Sequence, residues 1–135
     1  MVFPSGATTQ VCPCDTGAVY RTCCGPLHDG DPAATALALM RSRYSAYALD
    51  LADYVFRTWH PRTRPVDLPP TSGVMWVGLE ILATVAGGVS DDTGTVEFRA
   101  QFRNVEGQHS LRETSRFTRR AGQWVYVDAE AAEHD

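Results

Sequence analysis

Four cysteines near the amino end carry the clearest chemical signal in this chain of 135 residues. Cys12 and Cys14 are separated by one proline, and Cys23 and Cys24 follow as neighbours after eight further residues. Thiolates are soft ligands, and four of them complete a tetrahedral shell around Zn²⁺ with no position left open for substrate. The pattern therefore predicts one structural zinc ion held by these four side chains.

The same sulfur atoms allow two other states, namely disulfide bridges between the two cysteine pairs and four thiols without a ligand. A bridge within either pair would be strained, because its two cysteines are too close along the chain for disulfide geometry. The first residues lack the basic start and apolar core of a secretory signal, so we expect a cytoplasmic protein, in which metal ligands are favoured over disulfides. His28 could replace one sulfur, although four thiolates already fill the tetrahedron.

A second group of polar and aromatic residues is predicted to line a pocket for a small molecule. Its members are Trp59, His60, Trp76, Glu80, Glu113, Ser115 and Tyr126. His60 could act as a general base near neutral pH, or it could simply bond the backbone beside a packed Trp59. Glu113 shares a predicted strand face with large apolar residues, and in an apolar interior a carboxylate must be paired or protonated. Its candidate partners are Arg41, Arg43, Arg99 and Arg103.

The charge balance excludes several classes of function. Twelve basic residues, all of them arginine, stand against sixteen acidic ones, which gives a net charge of -4. The absence of lysine rules out Schiff-base chemistry and a phosphate-binding loop of the P-loop type. No basic run exceeds two residues, and no apolar run approaches the roughly 18 residues of a membrane helix. We therefore expect neither a nucleic acid nor a membrane as partner.

Hydrophobic periodicity predicts helices in the first half of the chain. Apolar and aromatic residues recur at steps of three and four over residues 37–54, which indicates a helix pair or one bent helix that ends near residue 57. Asp50 followed by Asp53 resembles a helix N-cap with an acid in the first turn, so the pattern favours a break near residue 50. Four prolines then predict a surface loop over residues 62–73 and its flanks.

From residue 74 onward the apolar period falls to two, which is the period of a strand. Turn residues separate four such segments, predicted at residues 74–86, 96–103, 109–117 and 124–128. In the first segment, Met75, Val77 and Leu79 are expected to share one face. A solvated acidic end is expected at Asp128, Glu130 and Glu133. Helices followed by hairpin-linked strands predict an α+β domain, with the helices packed across one face of an antiparallel sheet.

Residues 12–25 resemble the SEC-C motif, a zinc-binding element found at the carboxyl end of the SecA translocation motor and as an addition to other bacterial proteins. Further segments resemble the YchJ family of bacterial proteins of unassigned function, namely residues 39–47, 57–61, 76–79, 113–117 and 122–128. Residues 1–10 are small and polar without a period, which predicts a flexible tail in front of the zinc knuckle, so that tail and knuckle together span residues 1–30. The resemblance implies a nuclear transport factor 2-like domain at residues 31–135. In that fold a strongly curved sheet wraps around helices to form a cone.

Asp15 and Thr16 depart from the motif, which usually has Gly and Ser there, and the change should alter the turn more than the metal site. Two functional hypotheses follow. The first is a zinc-stabilised binding module for a protein partner or a small ligand. The second is an enzyme that acts on a small molecule inside the cone, with zinc as structural support only. No nucleophile elbow, phosphate loop or H-E-x-x-H helix supports a named reaction, so the sequence leaves the question of catalysis open.

Overall fold

The computed structural model describes residues 10–67 and 73–134, and the predicted tail at residues 1–9 lies outside these ranges. The cysteine segment contains a 3₁₀ turn at Tyr20–Thr22 and a short helix, α1, at Gly25–His28. Two further helices follow, α2 at Ala36–Ala48 and α3 at Ala52–Arg57. The rest of the chain forms four strands, which are β1 at Met75–Ala86, β2 at Thr93–Asn104, β3 at Gly107–Arg120 and β4 at Gln123–His134.

The four strands form one antiparallel sheet in the order β1-β2-β3-β4. Helix α2 packs against β1, β2 and β4, so the helices cover one face of this sheet. The core between the two layers contains Leu39, Met40, Tyr44, Leu79, Val96, Phe98, Ala100, Phe117 and Trp124. This architecture confirms the predicted α+β class. In the part of the chain that the structure describes, no helix combines the length and the apolarity needed to cross a bilayer.

The predicted break between the two helices is confirmed, but its capping differs from the prediction. Helix α2 begins after Thr35, whose hydroxyl accepts a hydrogen bond from the Ala38 amide at 3.0 Å. Asp50 lies in the left-handed region with a φ of 62°, so it ends the turn after α2 and does not cap α3. The N-cap of α3 is Leu51, which provides no side-chain hydrogen bond.

Strand β1 begins where the sequence predicts. At its start, however, Met75 and Val77 do not face the same way as Leu79, contrary to the prediction. Met75 and Val77 are 59% and 39% exposed, whereas Leu79 is buried and Trp76 packs against the core. The register shifts between Trp76 and Gly78, so Val77 is an extra residue opposite β2. Such a bulge reverses the alternation of side chains, and it turns Trp76 and Leu79 toward the same interior.

Strand β4 is longer than predicted and absorbs most of the segment expected to be a solvated end. It continues to His134, with Arg116 of β3 opposite Asp128 in the ladder. The Arg116 guanidinium contacts the carboxylates of Asp128 at 2.7 Å and Glu130 at 2.9 Å. Asp128 and Glu130 thus lie on a strand and remain partly solvent-exposed, as predicted for this acidic segment, while both form cross-strand ion pairs with Arg116.

Candidate metal centre and cavity

The four cysteines converge although they come from two separate turns of the chain. Their sulfur atoms all lie within 4.8 Å of one another, and those of Cys14 and Cys23 are 3.5 Å apart. A tetrahedral ion with Zn–S bonds of about 2.3 Å would place the sulfurs about 3.8 Å apart. All four are free thiols, and three of them are buried. The cluster has the composition and size for one metal ion.

The first cysteine turn is shaped by its backbone. Val11 and Val19 form an antiparallel bridge, and the Cys12 amide donates to the Ala18 carbonyl at 2.8 Å. Between these pairs the chain reverses through left-handed conformations at Asp15 and Gly17. The left-handed conformation at position 15 is one that glycine adopts without strain. Aspartate is among the few other residues that also adopt it, which explains how Asp15 can stand where the motif usually has glycine.

Two hydroxyl groups, from Thr16 and Ser45, contact the sulfur cluster. Thr16 Oγ1 lies 3.2 Å from Cys23 Sγ, and Ser45 Oγ lies 3.2 Å from Cys24 Sγ. Each hydroxyl also reaches a second sulfur, at 3.6 Å from Thr16 and 3.4 Å from Ser45. Hydrogen bonds of this kind orient metal ligands and tune their basicity. Ser45 was not predicted, because it lies inside α2 and no local pattern marks it.

The thiols interact strongly with one another when no metal is bound. The hydrogen bond with Cys24 lowers the pKa of Cys14 to about 4, and that bond together with burial raises the pKa of Cys24. Burial also raises the pKa of Cys23. The cluster therefore stabilises one thiolate through the protons of its neighbours. A divalent cation would replace those protons, which is why thiolate metal sites release protons on binding.

His28 is excluded from the ligand set by its own hydrogen bonds. Its Nε2 lies 2.8 Å from the Ser42 carbonyl oxygen, and its Nδ1 lies 2.7 Å from the Tyr20 hydroxyl. A carbonyl only accepts, so Nε2 carries the proton and Nδ1 accepts from Tyr20. Burial lowers the pKa of this imidazole. His28 therefore joins the cysteine segment to α2 and does not face the sulfurs with a free nitrogen.

Further contacts attach the cysteine segment to the rest of the fold. The Asp15 carboxylate accepts from the Leu79 amide at 2.8 Å, beside the bulge in β1. Arg41 Nη1 donates to the Cys14 carbonyl at 2.6 Å. Cys12, Cys14 and Cys24 also belong to the apolar cluster formed by α2 and the sheet. The cysteine cluster is thus seated on the body of the protein and shares its core.

A separate cavity of about 280 Å³ lies between α2 and the inner face of the sheet. Its lining is mainly aromatic and apolar, and consists of Met40, Arg43, Tyr44, Tyr47, Trp59, Trp76, Phe98, Ala100, Leu111, Glu113, Ser115 and Tyr126. Five of the seven predicted pocket residues are in this set, namely Trp59, Trp76, Glu113, Ser115 and Tyr126. None of the four cysteines lines the cavity.

Two predicted pocket residues lie elsewhere. Glu80 is on the outer face of β1, where its carboxylate contacts Arg99 at 3.0 Å. His60 belongs to the turn after Trp59, and its Nδ1 accepts from the Arg62 amide at 3.0 Å. The alternation along β1 sends Glu80 outward, and the turn directs the His60 ring toward its own backbone. The predicted alternative of a backbone-bonded histidine therefore describes His60.

The most prominent cavity residue that the sequence did not single out is Arg43. Its side chain is only 5% exposed, and Nη1 donates to Val55 O at 2.9 Å and Thr58 Oγ1 at 2.7 Å. The guanidinium carbon lies 4.4 Å from the centre of the Tyr126 ring and 5.1 Å from that of Trp59. The sequence suggested Arg43 only as one of four candidate partners for Glu113. Arg43 and Glu113 both line the cavity.

Two buried hydrogen-bond donors of the cavity residues have no acceptor. The indole nitrogens of Trp59 and Trp76 are buried, and neither has a partner among the residues that the structure describes. The third tryptophan differs, since Trp124 Nε1 donates to the Ala34 carbonyl at 3.3 Å. Buried polar groups are normally satisfied, so unpaired donors require an explanation such as a missing ligand or water.

Comparison with known proteins identifies the relatives of this chain. The family described as "YchJ, middle NTF2-like domain" matches residues 35–129. This chain belongs to the YchJ family. A UPF0225 protein of Streptomyces coelicolor is 52% identical over 123 residues, which cover 90% of this chain and 96% of that protein. A UPF0225 protein of Deinococcus radiodurans is 48% identical over 120 residues, covering 87% of each.

Two solved structures share the fold of this YchJ-family chain. One is the solution structure of a SEC-C motif containing protein from Rhodopseudomonas palustris, with a TM-score of 0.77 and 37% identity over 90% of this chain and 98% of that one. The other is the crystal structure of a SEC-C motif containing protein from Psychrobacter arcticus, with a TM-score of 0.76 and 30% identity over 94% and 85%. These findings confirm both the predicted family and the predicted nuclear transport factor 2-like fold.

Proposed function

We propose that this YchJ-family protein is a zinc-stabilised binding module that holds a small molecule in the cavity of its body. The main support for this proposal is that the cysteine cluster and the cavity are separate sites. The four sulfurs form a complete ligand set, and no cysteine lines the cavity. A fully thiolate-bound zinc ion has no open position for a substrate, which makes it a structural ion. The SEC-C motif in the descriptions of the two similar structures supports zinc as the metal.

The cavity favours a small ligand over a protein partner as the bound molecule. Its volume of about 280 Å³ and its position between α2 and the sheet suit a compact molecule. Its aromatic walls include Trp59 and Trp76, whose rings offer apolar contact surface to a small ligand. The enzyme hypothesis relied on Glu113, Ser115 and His60 converging, and His60 lies outside the cavity lining. Binding without catalysis is therefore the function we propose.

The metal part of the proposal is tested by native mass spectrometry of the full chain. We expect one zinc ion per chain, and we expect Cys23→Ser to lose it because three thiolates and a hydroxyl bind zinc far more weakly than four thiolates. Thr22→Ser is the matched control, since Thr22 is an exposed neighbour whose hydroxyl bonds only the Val19 carbonyl. Unchanged metal content in Cys23→Ser would overturn the assignment.

The ligand part is tested by following the three indole N–H signals in ¹H–¹⁵N spectra during a fragment screen. A molecule in the cavity should shift the signals of Trp59 and Trp76, which line it. Trp124 is an internal control, because its indole is already bonded to Ala34 and lies outside the cavity. If no fragment shifts the two cavity signals, or if all three move together, the proposed small-molecule site is wrong.

A further inference from the structure

Arg43 presents a buried positive charge that its protein surroundings do not neutralise at short range. Over the described ranges of the chain, no carboxylate lies within 4.0 Å of its guanidinium. Its hydrogen bonds from Nη1 go to two neutral oxygens, those of Val55 and Thr58. Burying a charge is unfavourable unless it is paired, and stacking on aromatic rings offsets only part of that cost. An anion in the adjoining cavity would complete the pairing.

The neighbours of Arg43 in the cavity are hydrogen-bond donors. Desolvation by burial raises the pKa of Tyr126 to about 12 and also raises the pKa of Tyr47, so both phenols keep their protons at neutral pH. The indole nitrogens of Trp59 and Trp76 are buried within the walls, so these two residues present ring surface to the cavity. A guanidinium beside phenol donors suits a ligand group that only accepts hydrogen bonds.

Glu113 limits where a negative charge can sit. It also lines the cavity, and its charge adds to the effect of burial in raising the pKa of both Tyr47 and Tyr126. An anion is therefore repelled from the Glu113 side and attracted to the Arg43 side. The alternative is that Glu113 alone balances Arg43 across the cavity, in which case a neutral ligand would bind as well as an anion.

The remaining walls define the body of the ligand. Aromatic and aliphatic side chains dominate, including Tyr44, Trp76, Phe98, Leu111 and Met40. The cavity of about 280 Å³ is at the small end of ligand sites, which span roughly 300–1,000 Å³. On the basis of the proposed function, we infer that the cavity binds a small aromatic carboxylate, with its carboxylate against Arg43 and its ring among the aromatic walls.

The decisive test compares isosteres on the zinc-loaded wild-type chain. Benzoate and phenylacetate are titrated beside benzamide and phenylacetamide, with the Trp59 and Trp76 indole signals as reporters and Trp124 as the control. We expect each carboxylate to bind at least tenfold more tightly than its amide. If amide and carboxylate bind equally at these reporters, the small-molecule function stands and the inference about the anion falls. If neither shifts the cavity signals, both are overturned.

Variants of Arg43 test whether this side chain causes the preference for carboxylates over amides. Arg43→Gln should bring the carboxylate-to-amide ratio close to one, whereas Arg43→Lys should keep part of it because lysine retains the charge without the planar fork. Arg43→Lys also covers the case in which the Gln variant fails to fold. Arg99→Gln is the matched control, since Arg99 is on the outer face of the sheet and bonds Glu80. A preference that persists in Arg43→Gln would overturn the inference.

Discussion

The cysteine segment and the body of this protein are held together by different physics although they share one core. The segment at residues 10–30 has two short helical turns and a few backbone bonds, and its ordered feature is the sulfur cluster. The body at residues 31–134 has four paired strands of 12 to 14 residues and a large apolar cluster. The difference indicates that a segment too small to bury much apolar surface needs another source of order, and the proposed metal ligation would supply it.

Of the perturbations considered, removal of the proposed zinc should have the largest effect, and it should disorder the cysteine segment while leaving the body folded. Structural zinc contributes about 10 to 16 kcal/mol in small zinc-finger peptides, which is large compared with single hydrogen bonds such as those that join the cysteine segment to the body. After chelation we expect hydrogen–deuterium exchange to become fast over residues 12–28 while the amides of β2 and β3 remain protected. Equal protection of the segment with and without chelator would show that burial alone orders it.

The second perturbation removes a large side chain from the apolar core of the body. Phe117 is 2% exposed on β3 and contacts the Tyr126 ring, so Phe117→Ala should lower the free energy of unfolding by roughly 3–5 kcal/mol. The control is Val105→Ala in an exposed turn, for which we expect a change within about 0.5 kcal/mol. Because three cysteines pack in the same cluster, denaturant midpoints for sheet and cysteine segment should fall together in Phe117→Ala. Separate midpoints would contradict the shared core.

Two serines on helix α2 allow the contact between the body and the cysteine cluster to be tested. Ser45→Ala removes the hydroxyl that contacts two sulfurs, and loss of such a group commonly weakens metal affinity by about 10- to 100-fold. Ser42→Ala is the control, because Ser42 is equally buried but bonds Leu39 and Tyr54 instead. Competition with a chromophoric chelator measures both affinities. A similar loss of affinity in both variants would mean that helix stability, and not the hydroxyl, controls the metal.

The smallest effect concerns the body alone and is confined to high pH. Burial raises the pKa of Tyr44 and of Tyr126 from 10 to about 12. A raised native pKa means that the folded state prefers the neutral phenol, so this stabilisation is complete below pH 10 and is lost as pH rises from 10 to 12. Absorbance at 295 nm should show these two tyrosines ionising later than an exposed one. Ionisation of all five tyrosines near pH 10 would contradict their burial.

Local patterns of the sequence predicted the elements and the family. The helix break near residue 50, the four strands and the α+β class follow from periods and turn residues, which depend on near neighbours along the chain. The cysteine spacing likewise predicted a ligand set whose sulfurs do converge. Within the predicted pocket, Trp59, Trp76, Glu113, Ser115 and Tyr126 do line one cavity.

Other features were decided only when distant segments met. The bulge at Val77 depends on the register of β1 against β2, and it inverted the expected face of Met75. The burial of Arg43 and the contact of Ser45 with sulfur depend on which elements pack against α2. The sequence by itself therefore determined the ligand types and the periods, because these are properties of neighbouring residues. The tertiary structure decided which charge faces the cavity, because burial and pairing are set by residues far apart in the chain.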